Sequence, residues 1–305
     1  MNDTIMTYKK LLRQAKEDFD RNGIEDSGRN ATELLGVALG EKPFSIGFEN
    51  RLTNPVDLKL KEKFLDLCKR RIAGEPLQYL VGEWEFYGIT VKVGKGVLIP
   101  RQDTETVVDT AICLAENKFR KKIKIADLCS GSGCIALALE QNLNAQKVFC
   151  VEKSDEAKKF LAENLELNNS SAEIIQADVT EKIPEEIPAL DMIVCNPPYL
   201  TREDMENLQK EVSFEPEEAL FGGEDGLDFY RDIVRIWTDA LKEGGIILFE
   251  VGINQEDEVM KILIQRGYEN VRCRKDFSGV NRCVYGIKPV STDEIAIKVD
   301  YPPAR

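Results

Sequence analysis

Residues 123–134 read Ile123-Lys124-Ile125-Ala126-Asp127-Leu128-Cys129-Ser130-Gly131-Ser132-Gly133-Cys134. A short apolar run with isoleucines at alternate places carries an acid near its end and passes into a turn of small residues. Ile135-Ala136-Leu137-Ala138-Leu139 follows at once. The spacing predicts a strand over 123–128, a tight turn, and a helix from about Cys134. Glycines at a strand-to-helix turn let a ligand approach the backbone closely. Cys129, Ser130, Gly131, Ser132 and Gly133 are therefore candidate ligand contacts.

The same rhythm continues toward the C-terminus. Strands are expected over 147–151, 172–177, 191–195 and 245–250, with helices over 155–167 and from about 255 to 265. Such alternation calls for an α/β fold, a mostly parallel sheet with helices on both faces and ligands at the carboxyl ends of its strands. Two last strands, near 268–274 and 282–287, are joined tightly enough for an antiparallel pairing. The tail after Pro289 is expected to be poorly ordered.

Toward the N-terminus the texture is helical. Tyr8, Leu11, Leu12, Ala15 and Phe19 fall on one helical face before Gly23 stops the run. A second helix is expected over 30–39, with Leu34, Leu35 and Ala38 inward and Gly40 as its stop. Asn54 and Pro55 form an N-cap and first-turn pair for a third helix, with Leu58, Phe64, Leu65 and Cys68 facing a core. From Gly74 to Arg101, and most clearly in Trp84-Glu85-Phe86-Tyr87-Gly88-Ile89-Thr90-Val91, the residues suit a β-hairpin or linker. The expected division is a helical bundle over 1–80, a hairpin and linker over 81–101, an α/β domain over 102–288 and a tail over 289–305.

The chain has 305 residues, long enough for a nucleotide-binding domain and a smaller companion. It has no histidine, which removes the commonest general base, the Ser-His and Cys-His pairs and the commonest metal ligand. The 8 cysteines form no C-x-x-C pair and have mostly apolar neighbours, so they read as reduced, structural thiols, and no metal is expected. A net charge of −13 disfavours broad attraction to nucleic acid or anionic membranes. No apolar run approaches the roughly 20 residues of a membrane span, and the start lacks a signal-peptide stretch, so a cytoplasmic protein is expected.

Three acids extend the ligand site. Glu152, at the end of the second strand and about 20 residues past the turn, can accept hydrogen bonds from both ribose hydroxyls of a nucleoside. Asp178, after the third strand, can receive an adenine amino group, with Val179 packing on the ring. Asp127, beside the turn, can pair with the cationic amino-acid end of S-adenosylmethionine but would repel a pyrophosphate. Ala136 stands where a third dinucleotide-fingerprint glycine would be, a tolerated variant, so a nicotinamide dehydrogenase stays open at this point.

After the fourth strand comes Asn196-Pro197-Pro198-Tyr199. Two prolines stiffen the backbone and leave carbonyl acceptors. The Asn196 side-chain oxygen and the Pro197 carbonyl can each hold one hydrogen of an NH2 group, while Tyr199 walls the adjoining plane. An amide nitrogen is a poor nucleophile because its lone pair is delocalised. Orienting it in line with a sulfonium methyl is what the protein can contribute.

These residues resemble the release-factor glutamine methyltransferases. The resemblance spans nearly the whole chain: Gly74-Glu75-Pro76-Leu77-Gln78-Tyr79-Leu80-Val81-Gly82, Val97-Leu98-Ile99-Pro100-Arg101-Gln102-Asp103-Thr104-Glu105, the glycine turn and Asn196-Pro197-Pro198-Tyr199. It continues through Phe214-Glu215-Pro216, Ala219-Leu220-Phe221-Gly222-Gly223-Glu224-Asp225-Gly226-Leu227 and Glu250-Val251-Gly252 with Gln255. It implies a class I S-adenosylmethionine-dependent methyltransferase fold, Rossmann-like, with a helical N-terminal domain for substrate recognition. The implied substrate is the Gly-Gly-Gln glutamine of class 1 peptide release factors, methylated on its side-chain amide nitrogen, with S-adenosylhomocysteine as the other product. Ser130, Gly131, Gly133, Glu152 and Asn196 map onto cofactor or substrate contacts, and Pro197, Pro198 and Tyr199 onto the glutamine pocket. Cys129 and Ser130 depart from the usual Gly and Thr, Glu152 from an aspartate, and Gln102 from a proline.

Three other readings suit some of the same residues. An exocyclic NH2 on a flat ring would fit the Asn-Pro-Pro-Tyr pocket, as in an adenine-N6 methyltransferase of DNA or RNA. A ribosomal-protein glutamine would fit as well, since selection between proteins lies outside the pocket. A methyltransferase-like binding module without turnover would keep the fold and lose cofactor binding.

Overall fold

The computed structural model describes residues 6–143 and 145–291. The expectation for the tail falls, from residue 292 onward, outside the described residues. By compactness the chain forms two units. The first comprises Met1–Trp84, Lys92–Ile99 and Leu208–Pro216, and the second Glu85–Val91, Pro100–Asn207 and Glu217–Arg305.

The first unit is helical: α1 (Tyr8–Arg21), α2 (Ser27–Leu39), α3 (Ile46–Arg51), α4 (Leu58–Ile72) and α5 (Leu77–Val81). Tyr8, Leu11, Ala15 and Phe19 of α1 are buried against Leu34 and Leu35 of α2 and Phe64 of α4. Gly40 ends α2 in the left-handed conformation, at φ 69°. Three expectations need correction. The second helix begins at Ser27, because Ser27 and Asn30 are held by local hydrogen bonds to Asp20 and to the Glu25 and Asp26 carbonyls. Asp57, not Asn54, caps α4, accepting from the Leu60 amide at 3.1 Å. With the helix starting there, Leu58 and Leu65 face outward, at 70% and 38% exposure.

Non-contiguous segments join this unit through Arg71, a buried residue near the end of α4. It donates to Asn30 Oδ1 at 2.7 Å and to Glu211 Oε1 at 2.6 Å. The Glu215 carboxylate accepts from the Ile99 amide at 2.9 Å.

A two-stranded hairpin follows α5: β1 (Glu83–Phe86) and β2 (Ile89–Lys92), joined by Tyr87 and Gly88 at φ 50° and 75°. Two successive left-handed residues are what a two-residue hairpin turn of type I′ requires.

The second unit holds α6 (Glu105–Lys118), β3 (Ile123–Leu128), α7 (Cys134–Asn142), β4 (Ala145–Glu152), α8 (Asp155–Leu167), β5 (Glu173–Gln176) and β6 (Leu190–Cys195). After these come α9 (Arg202–Glu206), α10 (Asp228–Trp237), β7 (Leu241–Glu250), α11 (Glu256–Gln265), β8 (Glu269–Lys275) and β9 (Asn281–Ile287). The seven strands β3–β9 form one sheet in the order β5-β4-β3-β6-β7-β9-β8. Pairing is parallel from β5 to β7, and β9 runs antiparallel to both β7 and β8. On one face, Ala126, Leu128, Ile193 and Phe249 pack under Tyr230, Ile233, Val234 and Trp237 of α10 and Val259 and Leu263 of α11. Helices α6 and α7 pack on each other, α7 against β3 and β4 and α6 against β7 and β9.

All eight cysteines are free thiols, five of them buried. Among the described residues no helix is long and apolar enough to cross a membrane.

Candidate active site

The chain leaves β3 for β4 and β5 on one side, then returns to lay β6 on the other side of β3. The carboxyl ends of β3 and β6 flank that reversal, where the loops on either side diverge and open a crevice. Leu128 of β3 and Cys195 of β6 are register partners there. The two motifs that follow them, Cys129–Gly133 and Asn196–Tyr199, thus start from neighbouring strand ends.

The glycine turn is tightly built. Cys129, Gly131 and Gly133 all have positive φ, at 58°, 55° and 81°. The Ser130 hydroxyl donates to the Asp127 carbonyl at 2.7 Å, and the Ser132 carbonyl accepts from Asn164 at 2.9 Å. A Cβ on Gly133 would lie 2.5 Å from Leu161 Cδ1, so this glycine serves the approach of α8 as well as the turn. Asp127 is fully buried. One of its oxygens accepts from the Ala136 amide at 3.2 Å, and Oδ1 has no partner among the described residues. Burial pushes this carboxyl up to about 7.

Glu152 folds back on the turn. Its two oxygens accept from the Gly131 amide at 2.7 Å and the Ser154 amide at 2.8 Å. Burial raises its pKa against those hydrogen bonds. Asp178 is tied on both oxygens, to Lys153 Nζ at 2.7 Å and to Thr180. Burial opposes its charge, yet Lys153 and the Thr180 donors hold it below the usual aspartate value. Val179 is buried in the core beneath the sheet end, and its carbonyl accepts from Trp237 Nε1 at 2.9 Å. Its side chain is core packing first, which the sequence alone did not separate from a ring contact.

At the other strand end, Asn196 donates through Nδ2 to the Thr104 hydroxyl at 3.4 Å, while its buried Oδ1 has no partner among the described residues. Pro197 and Pro198 are buried and Tyr199 half-buried. The Tyr199 hydroxyl lies 3.5 Å from Glu250 Oε1. Burial, then the charge of Glu250, raises the Tyr199 phenol.

Residues to which sequence reasoning gave no role hold this loop in place. Gln255 donates to the Tyr199 carbonyl at 2.8 Å and accepts from the Gly252 amide at 3.0 Å. A Cβ at Gly222 would stand 2.6 Å from the Pro198 carbonyl oxygen, and one at Gly226 2.3 Å from that of Tyr199. The glycines of 222–226 and the Glu250-Val251-Gly252 stretch are thus the bed on which Asn196–Tyr199 lies. Glu250, buried at the end of β7, is pushed up to about 7, chiefly by desolvation. An acid closing an apolar strand, as Asp127 and Glu152 do, was the available signal for it.

The cofactor expectation fits these residues. An orphaned, buried carboxylate oxygen on Asp127 suits an ammonium group, and the second lone pairs of Glu152 remain for hydroxyl donors.

Two family models match the chain: the PrmC N-terminal domain over residues 10–82 and the methyltransferase small domain over 104–221. The release factor glutamine methyltransferase of Clostridium botulinum is 36% identical over 92% of this chain and 98% of its own length. That of Thermodesulfovibrio yellowstonii is 41% identical over 71% of this chain and 77% of its own. Among solved structures, a methyltransferase from Pyrococcus furiosus superposes with a TM-score of 0.50 at 18% identity, over 67% of this chain and 91% of that one, a likeness of fold alone. Identity sustained over nearly the full length of both chains, with both of its domains matched in order, means that this chain belongs to the release factor glutamine methyltransferase family.

Proposed function

We propose that this protein transfers a methyl group from S-adenosylmethionine to the side-chain amide nitrogen of the Gly-Gly-Gln glutamine of class 1 peptide chain release factors. The observation that carries this reading is the unpartnered, buried Oδ1 of Asn196 at the carboxyl end of β6, one position past the register partner of Leu128.

The cofactor, when bound, supplies an electrophilic sulfonium methyl. Asp127 would hold its ammonium group and Glu152 its ribose hydroxyls, beside the backbone of 129–133. Asp178 would receive the adenine amino group through lone pairs not used by Lys153 and Thr180, beside Val179. Asn196 Oδ1 and the Pro197 carbonyl each accept one hydrogen of the glutamine NH2, which turns the nitrogen lone pair toward the methyl. Pro198 stiffens the loop and Tyr199 covers the amide plane. As the nitrogen–carbon bond forms, the carbon–sulfur pair returns to the sulfonium sulfur, and the strongly acidic N-methylated amide cation gives up one hydrogen as a proton to water. The residues' contribution is orientation, and no imidazole base is needed in a chain without histidine.

The names of the relatives favour a release factor over the ribosomal protein or nucleic acid that the pocket alone would also suit. The net charge of −13 fits a protein partner without direct nucleic-acid contact, and the reaction belongs where translation occurs, in the cytoplasm.

Asn196→Ala tests the assignment. Turnover on the release factor should fall by about 10²–10³, the usual loss for one polarising group at a reacting centre. Affinity for S-adenosylmethionine, read by calorimetry, should stay within about threefold. Unchanged turnover would contradict the assignment, and a collapse of cofactor affinity would move Asn196 to the cofactor.

A further inference from the structure

Strands β8 and β9 turn back on each other over 276–280, and the turn is fixed from within. Asp276 Oδ1 accepts from the Ser278 and Val280 amides, each at 2.9 Å. The Asp276 amide donates to the Val280 carbonyl at 2.8 Å, and Gly279 takes φ 83°. Arg282 donates to Asp276 Oδ2 at 3.3 Å and pairs with Asp103 Oδ2 at 2.9 Å. Asp103 directly precedes Thr104, whose hydroxyl accepts from Asn196 Nδ2. Side chains thus tie the turn to the 3-10 turn Gln102–Thr104 beside the reaction loop. On it stands Phe277, 90% exposed.

Strand β9 starts where β7 ends, so the turn projects from the carboxyl end of the parallel strands. Cys195 and Phe249 are register partners, as are Glu250 and Cys283, and Cys283 and Arg274. Asn196, Glu250, Cys283 and Arg274 therefore form one row across four strands, which puts Arg274 about 14 Å from Asn196. Phe277 is three residues further along the chain, at most about 10 Å beyond that row. Ile253, 64% exposed, follows the end of β7 on the same rim. A protein footprint of roughly 800 Å² laid over the reaction loop is about 30 Å across and reaches all of them.

Next to the turn, Arg272, Arg274 and Lys275 are exposed and form no ion pair among the described residues, in a chain of net charge −13. Val271 and Cys273 pack on the core that α11 shares, so Arg272 and Arg274, at alternate positions, lie on the other face of β8. Cations on an edge strand guard it against pairing with a foreign strand. That accounts for the charges but not for an aromatic ring held out to water on a fixed turn. An aromatic anchor beside arginines is the composition of a protein–protein contact.

We propose that the β8–β9 turn is a docking contact for the release factor beside its methyl-accepting loop, with Phe277 entering an apolar hollow and Arg272 and Arg274 meeting carboxylates. The proposal rests on the release factor being the substrate. Nucleic-acid phosphates would suit the cations, but the acidic chain and the aromatic anchor favour a protein.

The test assays the full chain with purified release factor and S-adenosylmethionine at low and high salt, reading kcat, KM and cofactor affinity. Phe277→Ser should raise KM for the release factor about tenfold, with kcat and cofactor affinity within about threefold. Phe277→Leu should recover most of that loss. Arg272→Glu with Arg274→Glu should raise KM by a similar factor and remove most of the wild type's rise of KM with salt. Leu167→Ser, an exposed apolar site closing α8 at the opposite end of the sheet, should match the wild type. Wild-type KM in Phe277→Ser and in the double variant, with Asn196→Ala inactive, would overturn the docking and leave the substrate reading standing. So would a double variant that loses affinity for a labelled RNA alone. No label on the release factor from the wild type would overturn the substrate reading, and the docking with it.

Discussion

Asp127 shows how a single residue sets a measurable pH dependence. Burial keeps its proton on up to about pH 7 in the free protein. An ammonium group favours the ionised form, so binding below that pH must expel a proton. Affinity for S-adenosylmethionine should therefore weaken as the pH falls through 7, approaching a tenfold loss per unit. Calorimetry in buffers of different ionisation heat would read the released proton, and Asp127→Asn should abolish the slope along with much of the affinity. The sign for stability is opposite: a carboxyl raised in the folded state favours folding at low pH. That contribution is lost as the pH rises from about 4, the unfolded value, through 7. The type and place of this acid were legible in the sequence because it sits at a strand end beside a glycine turn. Its orphaned oxygen, and the ties that engage Asp178 and Glu152, were not, because they depend on Lys153, Thr180, Ser154 and Gly131 finding them in space.

Among the elements, the strands of the sheet were the most legible, since largely apolar runs such as 123–128 and 191–195 are buried, but for Lys124, between two helical layers. Helix α10 went unread although Tyr230, Ile233, Val234 and Trp237 fall at helical spacing, and α6, whose apolar residues spread around its circumference, carried a weaker pattern. Helix starts failed where capping was tertiary or off by one turn, as at Asp57. The loop 196–199 was legible as chemistry but not as architecture: its rigidity comes as much from Gly222, Gly226 and Gln255 as from its prolines. Gly222→Ala should accordingly drive a methyl against the backbone of Pro198 and Tyr199 and cut turnover by tenfold or more, while cofactor affinity holds. Wild-type kcat in that variant would show that the bed does not set the loop.

At the scale of the whole chain, the division into units is not linear. Leu208–Pro216, only a few residues past the reaction loop, belongs to the helical unit, where Glu211 meets Arg71 and Glu215 meets the Ile99 amide. Nothing in the local pattern of 208–216 signals this, since its anchors lie more than a hundred positions away in sequence. Arg71→Ala removes a buried donor to Asn30 as well as the partner of Glu211, and should destabilise the helical unit by roughly 2–3 kcal/mol. Proteolytic nicking within 208–216 should rise in the same variant, and an unchanged cleavage pattern would contradict that anchoring. The central claim is tested most directly by transfer of a labelled methyl group from S-adenosylmethionine to a purified class 1 release factor, beside a variant whose Gly-Gly-Gln glutamine is alanine. Label on the native factor and none on the variant is the predicted result; equal label on both, or none on either with cofactor bound, would contradict it.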